Sequence, residues 1–264
     1  MLKMSTKNII QGITVISAIT IGCQTAAATP VIDRFSSGGW IQFADDDGHR
    51  QGPGAGGQAF DAEYLFYKMN GSRLSIGLQT GFNINQGHQT YGGHRYDAGD
   101  IALSFDGNNS SYEYAFDAGN YTEGYFADSN RDKIAAVDAG LYKVDTWSTD
   151  IYFSSQSSPF AMKTGEKITG LDSFTEAGFI DGDGTTNDSI ASNDSYWRIF
   201  SFDLEELLNQ EGFTFAGLDA HWTMSCGNDN INGSAPVPEP ATMLLFGAGL
   251  VGLAGYGKKR TLKK

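Results

Sequence analysis

Apolar and polar residues alternate along the middle of this chain with a period of two. In Arg73-Leu74-Ser75-Ile76-Gly77-Leu78 the apolar residues Leu74, Ile76 and Leu78 share one side, because successive strand side chains point to opposite faces. A similar run over residues 62–69 precedes it, with Asn70-Gly71 between the two. Both turn residues accept positive φ, so the pair predicts a tight hairpin. A second hairpin is predicted from residues 101–105, Asp106-Gly107-Asn108-Asn109 and residues 112–116. Further strands are expected over 140–147, 150–154, 196–202, 213–216 and 218–225. In the last, Ala220, Trp222 and Met224 face one way, and His221, Thr223 and Ser225 the other. One short helix is predicted over 204–211, with Asp203 as its cap and Gly212 as its stop. Residues 45–58, rich in Gly and Asp, read as a mobile loop. Many short strands separated by turn residues predict a mainly β fold, an antiparallel β-sandwich of jelly-roll type.

Both ends break the alternation. Lys3 and Lys7 flank an apolar run of 14 residues, 9–22, and Thr25-Ala26-Ala27-Ala28 follows. That layout predicts a signal peptide over residues 1–28, cleaved after Ala28 or one residue earlier. The run is short for a membrane span, which needs about 20 residues. Ile21-Gly22-Cys23 also resembles the end of a lipoprotein cleavage box, but Thr20 stands where that box takes an aliphatic residue. At the other end, Pro236, Pro238 and Pro240 predict a stiff linker over 235–240. Residues 241–257 carry no charge, and as a helix they reach about 25 Å, enough for one transmembrane pass. Lys258, Lys259 and Arg260 then open a basic tail, 258–264, which the positive-inside rule places in the cytoplasm. The body between these segments is residues 29–234.

Charge sharpens the contrast. Residues 29–240 hold all 31 acids but only 11 of the 18 bases, a net charge of −20. Such a body is repelled by phosphate backbones, which excludes nucleic acid as a natural partner, and it attracts divalent cations. Its length suffices for one large β domain. Beyond the leader the chain has a single cysteine, Cys226. It makes no internal disulfide, and reads either as a small apolar residue or as a thiol that pairs with another chain.

Candidate chemistry is sparse. Asp181-Gly182-Asp183-Gly184-Thr185-Thr186-Asn187-Asp188 is the best calcium candidate, with Asp181, Asp183, Asn187 and Asp188 as oxygen ligands. It is not an EF-hand, because Thr186 replaces the sixth-position glycine and Ser192 the final glutamate. Asp and Gly are also ordinary turn residues. His88 and His94 bracket a glycine-rich loop without a further ligand pair. No nucleophile elbow, phosphate loop or dinucleotide fingerprint is present, so no catalytic residue is assigned. A pair of glycosidase carboxylates, defined by space and not by spacing, stays open. Trp40, Trp147, Trp197 and Trp222, together with the many tyrosines, suit core packing or a sugar-stacking surface.

The C-terminal motif Val237-Pro238-Glu239-Pro240, the glycine-rich apolar run and the basic end resemble the PEP-CTERM sorting signal of exosortase-dependent proteins. Within the body, residues 78–82, 96–101 and 220–229 are similar to segments of one group of exosortase-dependent surface proteins. The resemblance implies export across the inner membrane of a Gram-negative bacterium by the export machinery, followed by a halt at that membrane. It implies processing by an exosortase near Pro238, Glu239 and Pro240, then release or attachment at the cell surface in an exopolysaccharide setting. The expected function is a non-catalytic surface or extracellular-matrix protein without a cofactor. A carbohydrate- or calcium-binding module and a polysaccharide hydrolase are the alternatives.

Overall fold

The computed structural model describes residues 31–46, 57–108, 110–125, 132–152, 157–170, 176–180 and 194–236. In chain order the first elements are α1 (Asp33–Ser36), β1 (Ile41–Asp45), a 3-10 turn (Gly57–Phe60), β2 (Ala62–Asn70) and β3 (Arg73–Thr80). Next come β4 (His88–Tyr91), β5 (His94–Asp97), β6 (Ile101–Ser104), β7 (Tyr114–Asp117), β8 (Thr122–Glu123) and β9 (Lys133–Ile134). The last are β10 (Gly140–Ser148), β11 (Ala161–Gly170), β12 (Glu176–Ile180), β13 (Ser195–Asp203), α2 (Glu205–Leu208), β14 (Gly217–Thr223) and β15 (Asn230–Pro236). One sheet has the order β1-β2-β3-β13-β12, the other β11-β10-β7-β6-β14-β15. Both are antiparallel throughout. Two small hairpin-like pairs, β4-β5 and β8-β9, stand apart.

The two sheets face each other across one core. Leu74, Ile76 and Leu78 of β3 and Phe200 and Phe202 of β13 meet Ile101, Leu103, Phe116 and Trp222 of the other sheet. The Phe116 ring lies 4.5 Å from Phe200 and 5.8 Å from Phe202. Each such side chain contributes roughly 1.5–3 kcal/mol on burial, so this layer supplies most of the stabilisation. A second apolar cluster lies on the other side of β2. Phe35 of α1 stacks on Phe66 at 4.2 Å and packs with Tyr64 and Ile199.

The mainly β, antiparallel expectation holds. The Asn70-Gly71 hairpin is present, with Gly71 at φ 63° and Asn70 paired to Arg73. The alternation of Ala220, Trp222 and Met224 also holds, since all three enter the inter-sheet core. Other expectations need correction. Residues 213–216 are not a strand: Phe213 and Phe215 lodge edge-on against Phe105 at 6.1 and 5.5 Å, so their alternation serves local packing. The described residues of the 150–154 segment bend and do not pair as a strand. The expected helix is a single turn, α2, and α1 is a second one. Asp203 does accept the Glu205 amide at 2.9 Å, but four residues fall far short of a self-supporting helix.

β11 and β15 escape the periodicity rule because their residues are polar and small; pairing with β10 and β14 makes them strands. β15 runs through Pro236, so the linker read from residue 235 begins inside the sheet. Among the described residues no helix is long and apolar enough to cross a membrane. The signal peptide (1–28), the transmembrane segment (241–257) and the basic tail (258–264) lie outside the described residues.

Candidate functional site

Residues 78–82, 96–101 and 220–229 converge on one end of the sandwich. Ser225 N donates to the Asp97 carbonyl at 2.8 Å, and Gly99 N to the Thr223 carbonyl at 2.9 Å. Asp97 N donates to Ser225 Oγ at 3.0 Å, and Trp222 Nε1 to the Gly99 carbonyl at 3.2 Å. Phe82 packs on Trp222 with ring centroids 6.1 Å apart. Two glycines are needed here by close approach. A Cβ on Gly81 would lie 1.7 Å from the Gln58 carbonyl oxygen, and one on Gly99 2.2 Å from that of Phe160.

This junction supports an aromatic cleft of about 230 Å³. Its wall is a continuous run of ring contacts. Tyr91 meets Phe60 at 5.9 Å, Phe60 meets Tyr96 at 5.3 Å, Tyr96 meets Tyr125 at 6.0 Å, and Tyr125 meets Tyr152 at 4.9 Å. Cys226 and Asn228 complete the lining. The two ends of the run are open: Tyr91 is 45% exposed and Tyr152 50%. The rings are placed by four pieces of the chain, with Tyr91 and Tyr96 on one hairpin. Tyr91 ends β4, next to a Gly92-Gly93 turn with both φ positive, as a type I′ hairpin requires. Phe60 ends the 3-10 turn, which Gln58 anchors by donating from Nε2 to buried Glu63 Oε1 at 2.8 Å. Tyr125 N donates to the Asp150 carbonyl at 2.9 Å, tying Tyr125 to the bend that carries Tyr152.

The cleft is uncharged at neutral pH. Burial holds the Tyr96 and Tyr125 phenols above their usual range, and neighbouring phenols and the Cys226 thiol add to it. Burial also pushes the Cys226 thiol up to about 12, so it stays protonated and unreactive. Of the two readings of Cys226, the buried small residue fits.

Other sequence candidates fall elsewhere. Asp181, Asp183, Asn187 and Asp188 lie outside the described residues. Among the described residues no group of three or more His, Cys, Asp or Glu is arranged to hold a metal ion. His88 and His94 are not in a loop: they sit on β4 and β5, where His88 pairs with Asp97 and His94 with Tyr91. His221 is buried and neutral, its Nε2–H donating to the Pro159 carbonyl at 2.9 Å. All four tryptophans pack: Trp222 is fully buried, Trp40 and Trp197 join the Phe35 cluster, and Trp147 Nε1 donates to the Tyr112 carbonyl at 2.9 Å. The exposed rings at the cleft are tyrosines, which the sequence raised only collectively and not by position. The only local marks are that Tyr91 precedes a Gly-Gly turn and Tyr96 begins one of the three converging segments.

Asp100 and Asp117 form a buried acid pair beneath this junction. Asp100 Oδ2 accepts the Met162 amide at 2.7 Å, and Asp117 Oδ1 the Gly119 amide at 2.6 Å. Burial pushes Asp117 up to about 6. Burial and the Asp117 charge hold Asp100 well above the usual carboxylate range.

No curated protein matches this chain. A family model described as the PEP-CTERM protein-sorting motif matches residues 236–260, beginning at the last residue of β15. Pro238, Glu239 and Pro240 and the basic residues Lys258, Lys259 and Arg260 fall within that stretch, outside the described residues. The chain therefore carries a PEP-CTERM sorting signal that begins at the end of its last described strand, which marks it as an exported surface protein addressed to an exosortase, with a transient membrane anchor before it reaches the surface.

Proposed function

We propose that this chain is a non-catalytic cell-surface or extracellular-matrix protein of a Gram-negative bacterium, associated with exopolysaccharide. The export machinery delivers it through the signal peptide, and the segment 241–257 halts it in the inner membrane. Exosortase processing near Pro238-Glu239-Pro240 then separates body from anchor. No cofactor enters this reading. The observation that carries it is the abutment of a β body, whose last described strand, β15, runs to Pro236, with a sorting motif matched from that same residue. What arrives at the surface is a folded domain that carries, among its concave features, a cleft lined with rings and uncharged side chains.

The test is to replace Pro238-Glu239-Pro240 with three alanines in the producing cells. The expected result is accumulation of a full-length species in the inner membrane and loss of the surface form. Surface protein of normal amount and size in the variant would sink the reading.

A further inference from the structure

We propose that the tyrosine cleft is a binding site for uncharged sugar rings of a polysaccharide chain. The proposal rests on the exopolysaccharide reading above and gives it a site. Four tyrosines and one phenylalanine, brought from four separate pieces of the chain, form one unbroken series of contacts. Core aromatics need no open ends, yet this series ends in two half-exposed tyrosines. Exposing those rings forfeits burial of about 25 cal/mol per Å² of apolar surface, a loss that a ligand covering them would recover. The cleft is also concave, as small-molecule sites are.

The chemistry of the lining selects the ligand. A ring face is apolar and carries the negative end of the aromatic quadrupole. It attracts the C–H face of a pyranose, whose carbons are slightly positive. The phenol hydroxyls of half-exposed Tyr91 and Tyr152 offer donors and acceptors to the sugar hydroxyls. The Tyr96 and Tyr125 phenols stay protonated and the thiol stays neutral, so nothing in the lining pairs with a charged ligand. An acidic polysaccharide is opposed by the net charge of −20 on residues 29–240. The rings of the cleft meet at interplanar angles of 71°, 87°, 24° and 68°, and the two outer ones are half exposed; a quaternary ammonium, which aromatic faces also attract, is the competing ligand that the titration has to separate. The cavity of about 230 Å³ is below the 300–1,000 Å³ of pockets that enclose whole ligands. A chain therefore lies across it with one or two residues seated, its ends extending past Tyr91 and Tyr152.

The experiment uses mature protein recovered from producing cells, titrated by calorimetry with cellohexaose, mannohexaose, a galacturonate hexamer and tetramethylammonium. We expect heat from at least one neutral hexamer and none from the other two probes. Tyr91→Ala combined with Tyr152→Ala should weaken that binding about tenfold or more, while Tyr91→Phe with Tyr152→Phe, which keeps both ring faces, should retain most of it. Binding of the uronate or the ammonium ion alone, silence with both neutral hexamers, or affinity unchanged in the double alanine variant would each overturn the proposal. A parallel fractionation of the cell matrix separates this outcome from the wider reading. Wild-type protein that stays with the polysaccharide while the cleft binds no hexamer refutes only the site. Hexamer binding by protein that never associates with the matrix refutes only the exopolysaccharide association.

Discussion

Residues 97–100 follow Tyr96 without lining the tyrosine cleft; they are its support, or floor, and are tied by backbone bonds to Thr223, Ser225 and Phe160. At its rim, Tyr91 and Tyr152 leave about half their surface in solvent. The floor is built from groups that are buried and fixed, down to glycines that admit no Cβ. The rim hangs on a two-stranded hairpin and a bend, outside both main sheets. The contrast separates residues that make the fold from residues the fold displays. Floor substitutions should unfold the protein, and rim substitutions should leave the fold intact and alter only what it holds.

The largest expected effect tests the floor. Gly99→Ala would drive a methyl to within 2.2 Å of the Phe160 oxygen and 2.8 Å of the Thr223 oxygen. Both are backbone atoms that cannot swing away. A loss of about 3 kcal/mol or more is expected, read from denaturant melts. A variant as stable as wild type would mean that the two converging segments are not locked together.

The acid pair under the floor gives a smaller effect that depends on pH. Unfolded carboxylates titrate near pH 4, whereas burial raises Asp117 to about 6 and holds Asp100 above its usual range. The folded state therefore keeps protons that the unfolded chain has released. The stability this gives is fully present below about pH 4 and is lost as pH rises through about 6. Asp117→Asn keeps an oxygen for the Gly119 amide and removes the titration. It should raise stability at pH 7 by on the order of 2 kcal/mol and change little at pH 4. Parallel melting curves of the two proteins across pH 4–7 would show that the pair is solvated in solution.

The smallest effect belongs to the rim. Tyr91→Ala and Tyr152→Ala should each stay within about 0.5 kcal/mol of wild type in the same melts. A cost above about 2 kcal/mol would place these rings in the core and erase the difference between floor and rim.

Legibility in the sequence follows the same division. Where a strand buries one face against the other sheet, as with Leu74, Ile76 and Leu78, alternation shows it directly. The hairpin at Asn70-Gly71 was legible because its turn chemistry is local. β15, reading Asn-Ile-Asn-Gly-Ser-Ala-Pro, has almost no apolar signal; it exists because β14 offers it a ladder. The cleft was legible only in part, through Tyr96, Cys226 and Asn228 in segments 96–101 and 220–229. Its five rings come from four regions of the chain, with Tyr91 and Tyr96 on one hairpin, and nothing in the spacing of Phe60, Tyr125 and Tyr152 foretells that they meet these two. Aromatic content drew attention to the tryptophans, yet tryptophan's larger apolar area sends it inward. Tyrosine's hydroxyl lets it stand at a wet edge.

The junction at Pro236 has a mechanical consequence. Gly217 and Pro236 are the terminal register pair of β14 and β15. Proline brings no N–H to a ladder, and glycine brings no side chain to pack, so this end of the strand is the most weakly fastened. Pro236 can leave the ladder there without disturbing Leu218 and Ala235, the next pair inward, both of which are buried. The last rung of this ladder is therefore separable from the core: its loss costs one glycine–proline pair and leaves the buried Leu218–Ala235 pair in place.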